Sequence, residues 1–329
     1  MKNILETFKS FNKLNVLIIG DVMIDAYMWG NVNRISPEAP VPIVAIHKKE
    51  NRLGGAANVA LNIQAMGANP VLCSVIGDDD GSKIFFDLLK QQKLSSKGII
   101  SSKKRITTVK TRVISSNHQM IRVDEEIESD INDKDENVLI SQIKKLMSSE
   151  KVDVIIFEDY DKGCITASLI KKIVALAKQY NIPTVVDPKK KNFLAYSGVT
   201  LFKPNLKELK EGLKVDFNHN KIKELEKIVG DFIKKQNITT ALITLSEKGV
   251  YTHSSKTKAL VPAHIRDITD VSGAGDTVVS IAALCLALNL SPVTTATLAN
   301  LAGGLVCEKV GVVPIDKKQL LDEAIRLKL

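Results

Sequence analysis

The sequence predicts an α/β fold: a doubly wound, mostly parallel sheet flanked by helices, with a small β-sheet lid. Three observations lead there. Short continuous apolar runs rich in Val and Ile recur along the chain, as strands buried on both faces require. Segments of helical period lie between them, the alternation expected of crossover units. Two further segments read as strands with no helix beside them.

In chain order, N-V-L-I-I-G opens as a strand that ends at Gly20, and Ala56 to Met66 follows with helical period. Pro70 to Ile76 reads as a strand and Lys83 to Gln91 as a helix. Val152 to Phe157 and Pro183 to Val186 are strands on either side of a helix from Ala167 to Gln179. Ile222 to Lys235 is a helix leading to a strand over Thr240 to Leu245. Val278 to Leu290 has the length of a buried core helix. Residues 31–49, with three prolines and V-P-I-V-A-I, are the first strand-only segment. Residues 106–124 are the second, alternating with period two around a Ser-Ser-Asn-His turn, which predicts a hairpin. These two segments are expected to form the lid of one domain spanning residues 1–329. No internal repeat, low-complexity stretch or flexible linker divides it.

Composition narrows the function classes. The net charge of +9, from 46 basic and 37 acidic residues, suits either nucleic acid or an anionic small molecule. Aromatics are only 5% and are not interleaved with basic stretches, so no nucleic-acid partner is expected. Cys73, Cys164, Cys285 and Cys307 form no C-x-x-C pair, which argues against a zinc ribbon or disulfide scaffold and for the cytoplasm. The five histidines show no H-E-x-x-H spacing. The apolar run from Leu14 to Ile24 is broken by Asp21, so it reads as neither signal peptide nor membrane span, and no membrane partner is expected.

Three motifs carry chemistry. The run Thr269 to Ser280, T-D-V-S-G-A-G-D-T-V-V-S, has Val278 where a dinucleotide fingerprint needs its third glycine, and Ser272 precedes the glycines. No Gly-Lys dipeptide exists anywhere, so there is no P-loop. What remains is Gly273-Ala274-Gly275 at the head of an apolar helix, where free N–H groups and the helix dipole favour an anion. Asp276 follows in the first turn. An anion cradle beside a carboxylate suits phosphoryl transfer; a plain glycine cap with an acidic first turn would look the same. In K-P-N-L-K-E, Asn205 and Glu208 share one helix face, either as part of a Mg²⁺ water shell or as a capping box. Gly54-Gly55 ahead of Asn58 suits either a polyhydroxylated ligand or tight strand-to-helix packing.

Taken together and in this order, the motifs resemble the ribokinase-like family of carbohydrate kinases across nearly the whole chain. Within that family, Gly20 to Val44, with its run I-S-P-E-A-P-V-P-I-V, is similar to the kinases of D-glycero-β-D-manno-heptose 7-phosphate. So are Lys110 to Asp124, D-Y-D-K-G (Asp159 to Gly163) and D-P-K (Asp187 to Lys189). The resemblance implies Asp276 as general base and Gly273, Ala274 and Gly275 as anion hole. It implies Asn205 and Glu208 for Mg²⁺ and nucleotide, with Thr244, Ser246, Glu247 and Gly249 lining the ATP pocket. Asp25, Gly54, Gly55 and Asn58 would meet the sugar, and Asp270 and Ser272 would border a K⁺ site. A phosphorylated sugar also needs cations, for which Arg34, Arg52, Arg112, Arg122 and Lys162 are candidates. Glu158 and Asp161 are expected to add negative charge around Lys162. The reaction implied is ATP-dependent phosphorylation of O1 of the heptose 7-phosphate, by a stand-alone kinase of ADP-heptose synthesis that pairs through its lid as a homodimer. The alternatives are a kinase of ribose or fructose phosphate, or a non-catalytic nucleotide-binding relative.

Overall fold

Val16 to Ile19 are apolar on both sides of the chain because both faces of their strand are covered. Val16 and Ile18 join one core cluster, Leu17 and Ile19 the other. The structure is a computed structural model that describes residues 4–116, 118–217, 221–264 and 266–329. Its elements are, in chain order, α1 (Ile4–Phe11), β1 (Asn15–Gly20), β2 (Val22–Ile35), β3 (Pro42–Gly55), α2 (Ala56–Ala65), β4 (Asn69–Gly77), α3 (Asp80–Gln91) and β5 (Gly98–Ser102). Then come β6 (Val109–Ser115), β7 (His118–Glu125), α4 (Asp133–Ser149), β8 (Val154–Glu158), α5 (Ala167–Gln179), β9 (Thr184–Asp187), β10 (Leu201–Phe202) and α6 (Leu206–Leu213). The chain ends with α7 (Ile222–Gln236), β11 (Thr240–Thr244), β12 (Val250–Ser254), β13 (Lys258–Val261), α8 (Ala274–Ala287), α9 (Pro292–Val306) and α10 (Lys317–Arg326).

The large sheet has the order β13-β12-β11-β10-β9-β8-β1-β4-β5, parallel except at its β11-β12-β13 edge. One core packs α1, α2, α3, α8, α9 and α10 on one face; the other packs α4 to α7 on the opposite face. The expected mostly parallel, helix-flanked sheet is therefore present. The antiparallel edge is an addition to it, because β12 and β13 follow β11 without an α-helix between them. Ile18 is fully buried, so truncating it to alanine would cost about 2–5 kcal/mol.

The small second sheet has the order β3-β2-β6-β7. Its β2 and β3 reach beyond residues 31–49 at both ends, whereas β6 and β7 start three residues later than residues 106–124 and end one later. β2 leaves β1 after one residue, and β3 runs straight into α2. In the hairpin, Ser115 faces His118 and Ser116 is left-handed (φ 49°), while Asn117 of the expected turn lies outside the described residues, as does His219. Among the described residues, no helix is long and apolar enough to cross a membrane.

The chain moves from β1 to β4 and β5 on one side, then returns to β8 on the other. At such a switch point the crossovers diverge and leave a crevice at the carboxyl ends of the strands. Asp21 follows β1 there, Glu158 ends β8 and Asp187 ends β9.

Candidate active site

The first turn of α8 faces that crevice. Gly273 caps the helix in the left-handed region (φ 78°), and a Cβ there would press on Asn58 and Val312 at 3.1 Å. The N–H groups of Gly275 and Asp276 have no backbone partner among the described residues, as expected at a helix start. They leave a positive end turned to the crevice. Asp276 is buried there. Asn58 Nδ2 donates to its Oδ2 at 2.6 Å, and the Tyr160 hydroxyl donates to Oδ1 at 2.7 Å. Burial pushes the Asp276 carboxyl up to about 6; the two hydrogen bonds and Lys203 oppose that rise, and Asp187 adds to it. At neutral pH it is an ionised, desolvated carboxylate beside a helix N-terminus.

Glu158, Asp187 and Asp276 bring carboxylate oxygens within 4.8 Å of one another, all buried. Lys203 Nζ lies 2.9 Å from Asp187 Oδ2. Glu158 Oε2 and Asp187 Oδ1 have no hydrogen-bond partner among the described residues. Burial, then Asp187 and Asp276, hold the Glu158 carboxyl well above the ordinary range. Buried, unpaired carboxylate oxygens close to one another match a hard divalent cation. Both oxygens of Asp276 are already engaged, so the fit falls on Glu158 and Asp187.

Asn205 and Glu208 form the capping box of α6: Asn205 Oδ1 accepts from the Glu208 N–H and Glu208 Oε2 from the Asn205 N–H, each at 2.8 Å. Glu208 Oε1 pairs with Lys189. The pair is thus occupied locally, and the unpaired oxygens lie on Glu158 and Asp187 instead. Asn205 bridges to Thr244, and Ser246 (φ 53°) and Gly249 (φ 91°) turn the chain from β11 into β12. This brings Asn205, Glu208 and the stretch 244–249, Glu247 included, to one side of the crevice.

On the other side, Asp25 is buried on β2 and accepts from Arg112 Nη1 at 2.6 Å. A Cβ on Gly54 would run into the Asp25 carboxylate, and Gly55 has φ 59°. The guanidinium carbons of Arg52 and Arg112 lie 4.9 and 5.4 Å from the Tyr27 ring centroid. Asp270 accepts from the Ser272 N–H and the Gly311 N–H, both at 2.9 Å, which ties two loops together. Burial opposes it, but those bonds and Arg112 hold the Asp270 carboxyl below its usual range.

Three expected cations stand elsewhere. Arg34 is exposed near the far end of β2, nine residues beyond Asp25, or about 30 Å along an extended strand. Arg122 is half-exposed on β7 and pairs with Asp124 at 2.9 Å. Lys162 is buried between Glu126 and Glu128 at 2.7 and 2.6 Å, rather than among Glu158 and Asp161, and has no charge to spare for a substrate. Conversely, Tyr160, Asp187, Lys189 and Lys203 belong to the site with no role foreseen for them. Their signal was positional: each is a polar residue within a few places of the end of a buried strand.

A family model described as pfkB family carbohydrate kinase matches residues 13–318. Bifunctional protein HldE of Caulobacter sp. (strain K31) is 39% identical over 315 residues, covering 95% of this chain and 63% of its own length. Bifunctional protein HldE of Geobacter sulfurreducens is 33% identical over 323 residues, 97% of this chain and 65% of its own. The chain thus spans a little under two thirds of the curated relatives it matches. Among solved structures, phosphofructokinase-2 from Escherichia coli in complex with potassium superposes with TM-score 0.78 at 15% identity, over 96% of this chain and 99% of that one. Arabidopsis thaliana ribokinase complexed with ribose and ATP gives TM-score 0.71 at 15% identity, over 94% and 98%. The chain belongs to the pfkB family of carbohydrate kinases, phosphotransferases that act on sugar hydroxyl groups.

Proposed function

We propose that this kinase transfers the γ-phosphoryl group of ATP to the anomeric O1 of D-glycero-β-D-manno-heptose 7-phosphate, giving the 1,7-bisphosphate for ADP-heptose and lipopolysaccharide-core synthesis in the cytoplasm. The observation that carries the transfer is Asp276: buried, ionised and held by two donors in front of the free N–H groups of α8. Asp276 takes the O1 proton, and the N–H groups of Gly275 and Asp276 receive the charge that develops on the phosphoryl oxygens. Glu158 and Asp187 would hold Mg²⁺, which neutralises phosphate charge in such reactions. Lys203 and Lys189 add positive charge beside them. A K⁺ site beside Asp270 and Ser272 is part of the same reading.

The heptose phosphate is supported by the segments that resemble heptose 7-phosphate kinases and by relatives named HldE. It is supported too by Arg52 and Arg112 on either side of Tyr27; Arg52 pairs with Glu50 and Arg112 with Asp25, and a sugar phosphate would compete with those carboxylates for them. The second sheet then acts as a lid that excludes water, and its exposed Ile121 and Val123 suit pairing with a second copy. The test is a substrate panel with ATP and Mg²⁺: heptose 7-phosphate against ribose, fructose and fructose phosphates. A kcat/KM for heptose 7-phosphate at least tenfold above the others is expected. A preference for an unphosphorylated sugar would overturn the substrate.

A further inference from the structure

Two elements far apart in sequence clamp Asp276: Asn58 on α2 donates to Oδ2, and Tyr160, on the turn after β8, donates to Oδ1. We propose that Tyr160 is a positioning residue for phosphoryl transfer, whose hydroxyl fixes the plane of the Asp276 carboxylate so that its free lone pairs face the incoming sugar hydroxyl. The proposal rests on Asp276 being the base.

The turn that bears Tyr160 is held far more firmly than a surface loop. Asp21 Oδ2 accepts from the N–H groups of Tyr160 and Lys162 at 2.8 and 3.1 Å, and its Oδ1 accepts from that of Cys164 at 2.9 Å. The Asp159 carboxylate accepts from the Asp161 N–H, the Tyr196 hydroxyl at 2.8 Å and Asn192 Nδ2 at 3.2 Å. Asp161 (φ 55°) and Gly163 (φ 82°) are both left-handed, so the backbone is bent sharply on either side of Lys162. Lys189 sits over the Tyr160 ring, 5.3 Å from its centroid. Backbone and ring are thus fixed, and the hydroxyl is delivered to one oxygen.

The surroundings explain why the base needs this. Asp276 faces Asp187, which repels it, and Lys203, which attracts it. A carboxylate free to turn would move away from Asp187 and toward Lys203, and so lose its aim at the substrate. Tyr160 opposes that rotation. It does so as a donor, its hydroxyl 2.7 Å from Asp276 Oδ1.

Tyr160→Phe removes one oxygen and leaves the ring, the Lys189 contact and the backbone bonds in place. With ATP, Mg²⁺ and the best sugar phosphate of the panel, kcat should fall about 10- to 100-fold, the worth of one hydrogen bond to a charged group. Both KM values should stay within about threefold. In an Asp276→Asn background, Tyr160→Phe should change the residual rate by less than about twofold, because nothing is left to aim. An unchanged kcat in the single variant would overturn the proposal. So would an equal loss in both backgrounds, the mark of a general structural effect, or a change confined to KM, the mark of a substrate contact. Near-normal turnover of Asp276→Asn alone would instead remove the base itself. Thermal melts of each variant establish that the fold is kept.

Discussion

Replacing Asp276 with asparagine should make the protein more stable while nearly abolishing its activity. The carboxyl is moved from its ordinary value of 3.8 to about 6 by burial. Ionising it in the folded state therefore costs about 3 kcal/mol more than in the unfolded chain. The sign follows from the direction of the shift. Below about pH 4 the group is protonated in both states and there is no penalty; between pH 4 and 6 the penalty grows; above pH 6 it is complete. An asparagine keeps the Asn58 hydrogen bond through its carbonyl and can donate to the Tyr160 oxygen, yet it carries no charge. The variant should gain up to about 3 kcal/mol above pH 6, a rise of several degrees in Tm, and the gain should vanish toward pH 4. Melts from pH 4 to 8 in buffer with a chelator measure this. Its kcat should meanwhile fall by roughly 10²–10⁴, and the parent's kcat/KM should drop about tenfold per unit below pH 6. A variant no more stable than its parent above pH 6, or one whose gain is the same at every pH, would refute the reasoning.

Other expectations follow from the same geometry. Arg112→Met and Arg52→Met should each raise KM for the sugar phosphate about 10- to 100-fold with KM for ATP unchanged, whereas Arg122→Met should shift neither by more than about twofold. Steady-state kinetics on heptose 7-phosphate read this out directly. Asp187→Asn should weaken Mn²⁺ binding by at least about tenfold, measured by calorimetry without nucleotide, because it alters one of the two carboxylates of the buried cluster whose oxygens lack a partner among the described residues. Gly55→Ala should lose about 1–3 kcal/mol in urea titrations, since its backbone sits where side chains rarely go and a Cβ would meet the Asp21 carbonyl.

The central strands were legible because burial on both faces leaves an uninterrupted apolar run. β10, two residues long, offers no period to detect, and β12 and β13 have no intervening helix to mark them. Asp276 and its glycines could be singled out because a helix start concentrates its polar groups within a few adjacent positions. The other members of the site could not be read in the same way. Asp187 and Lys203 meet Asp276 only because β9 and β10 end beside the start of α8, which no local window reveals. Lys162 shows the reverse. Its companions Glu126 and Glu128 lie 36 and 34 residues away in sequence, so a cation that seemed available proves to be neutralised. Arg34 failed on length alone, since β2 continues well past the site.

The neck of the second sheet has a consequence for how such enzymes diversify. β2 and β3 form one excursion between β1 and α2, and its two ends touch: the Ala56 N–H donates to the Asp21 carbonyl at 2.9 Å. A stretch whose entrance and exit are hydrogen-bonded to each other can be exchanged without moving the scaffold that flanks it. Asp25, Arg52 and Gly54 lie inside this cassette; Asp276, Tyr160, Asp187 and Lys203 lie outside it. Recombination at Asp21 and Ala56 would therefore exchange Asp25, Arg52 and Gly54 while leaving Asp276 with its neighbours, and the Arg112 that meets Asp25 from β6, in place.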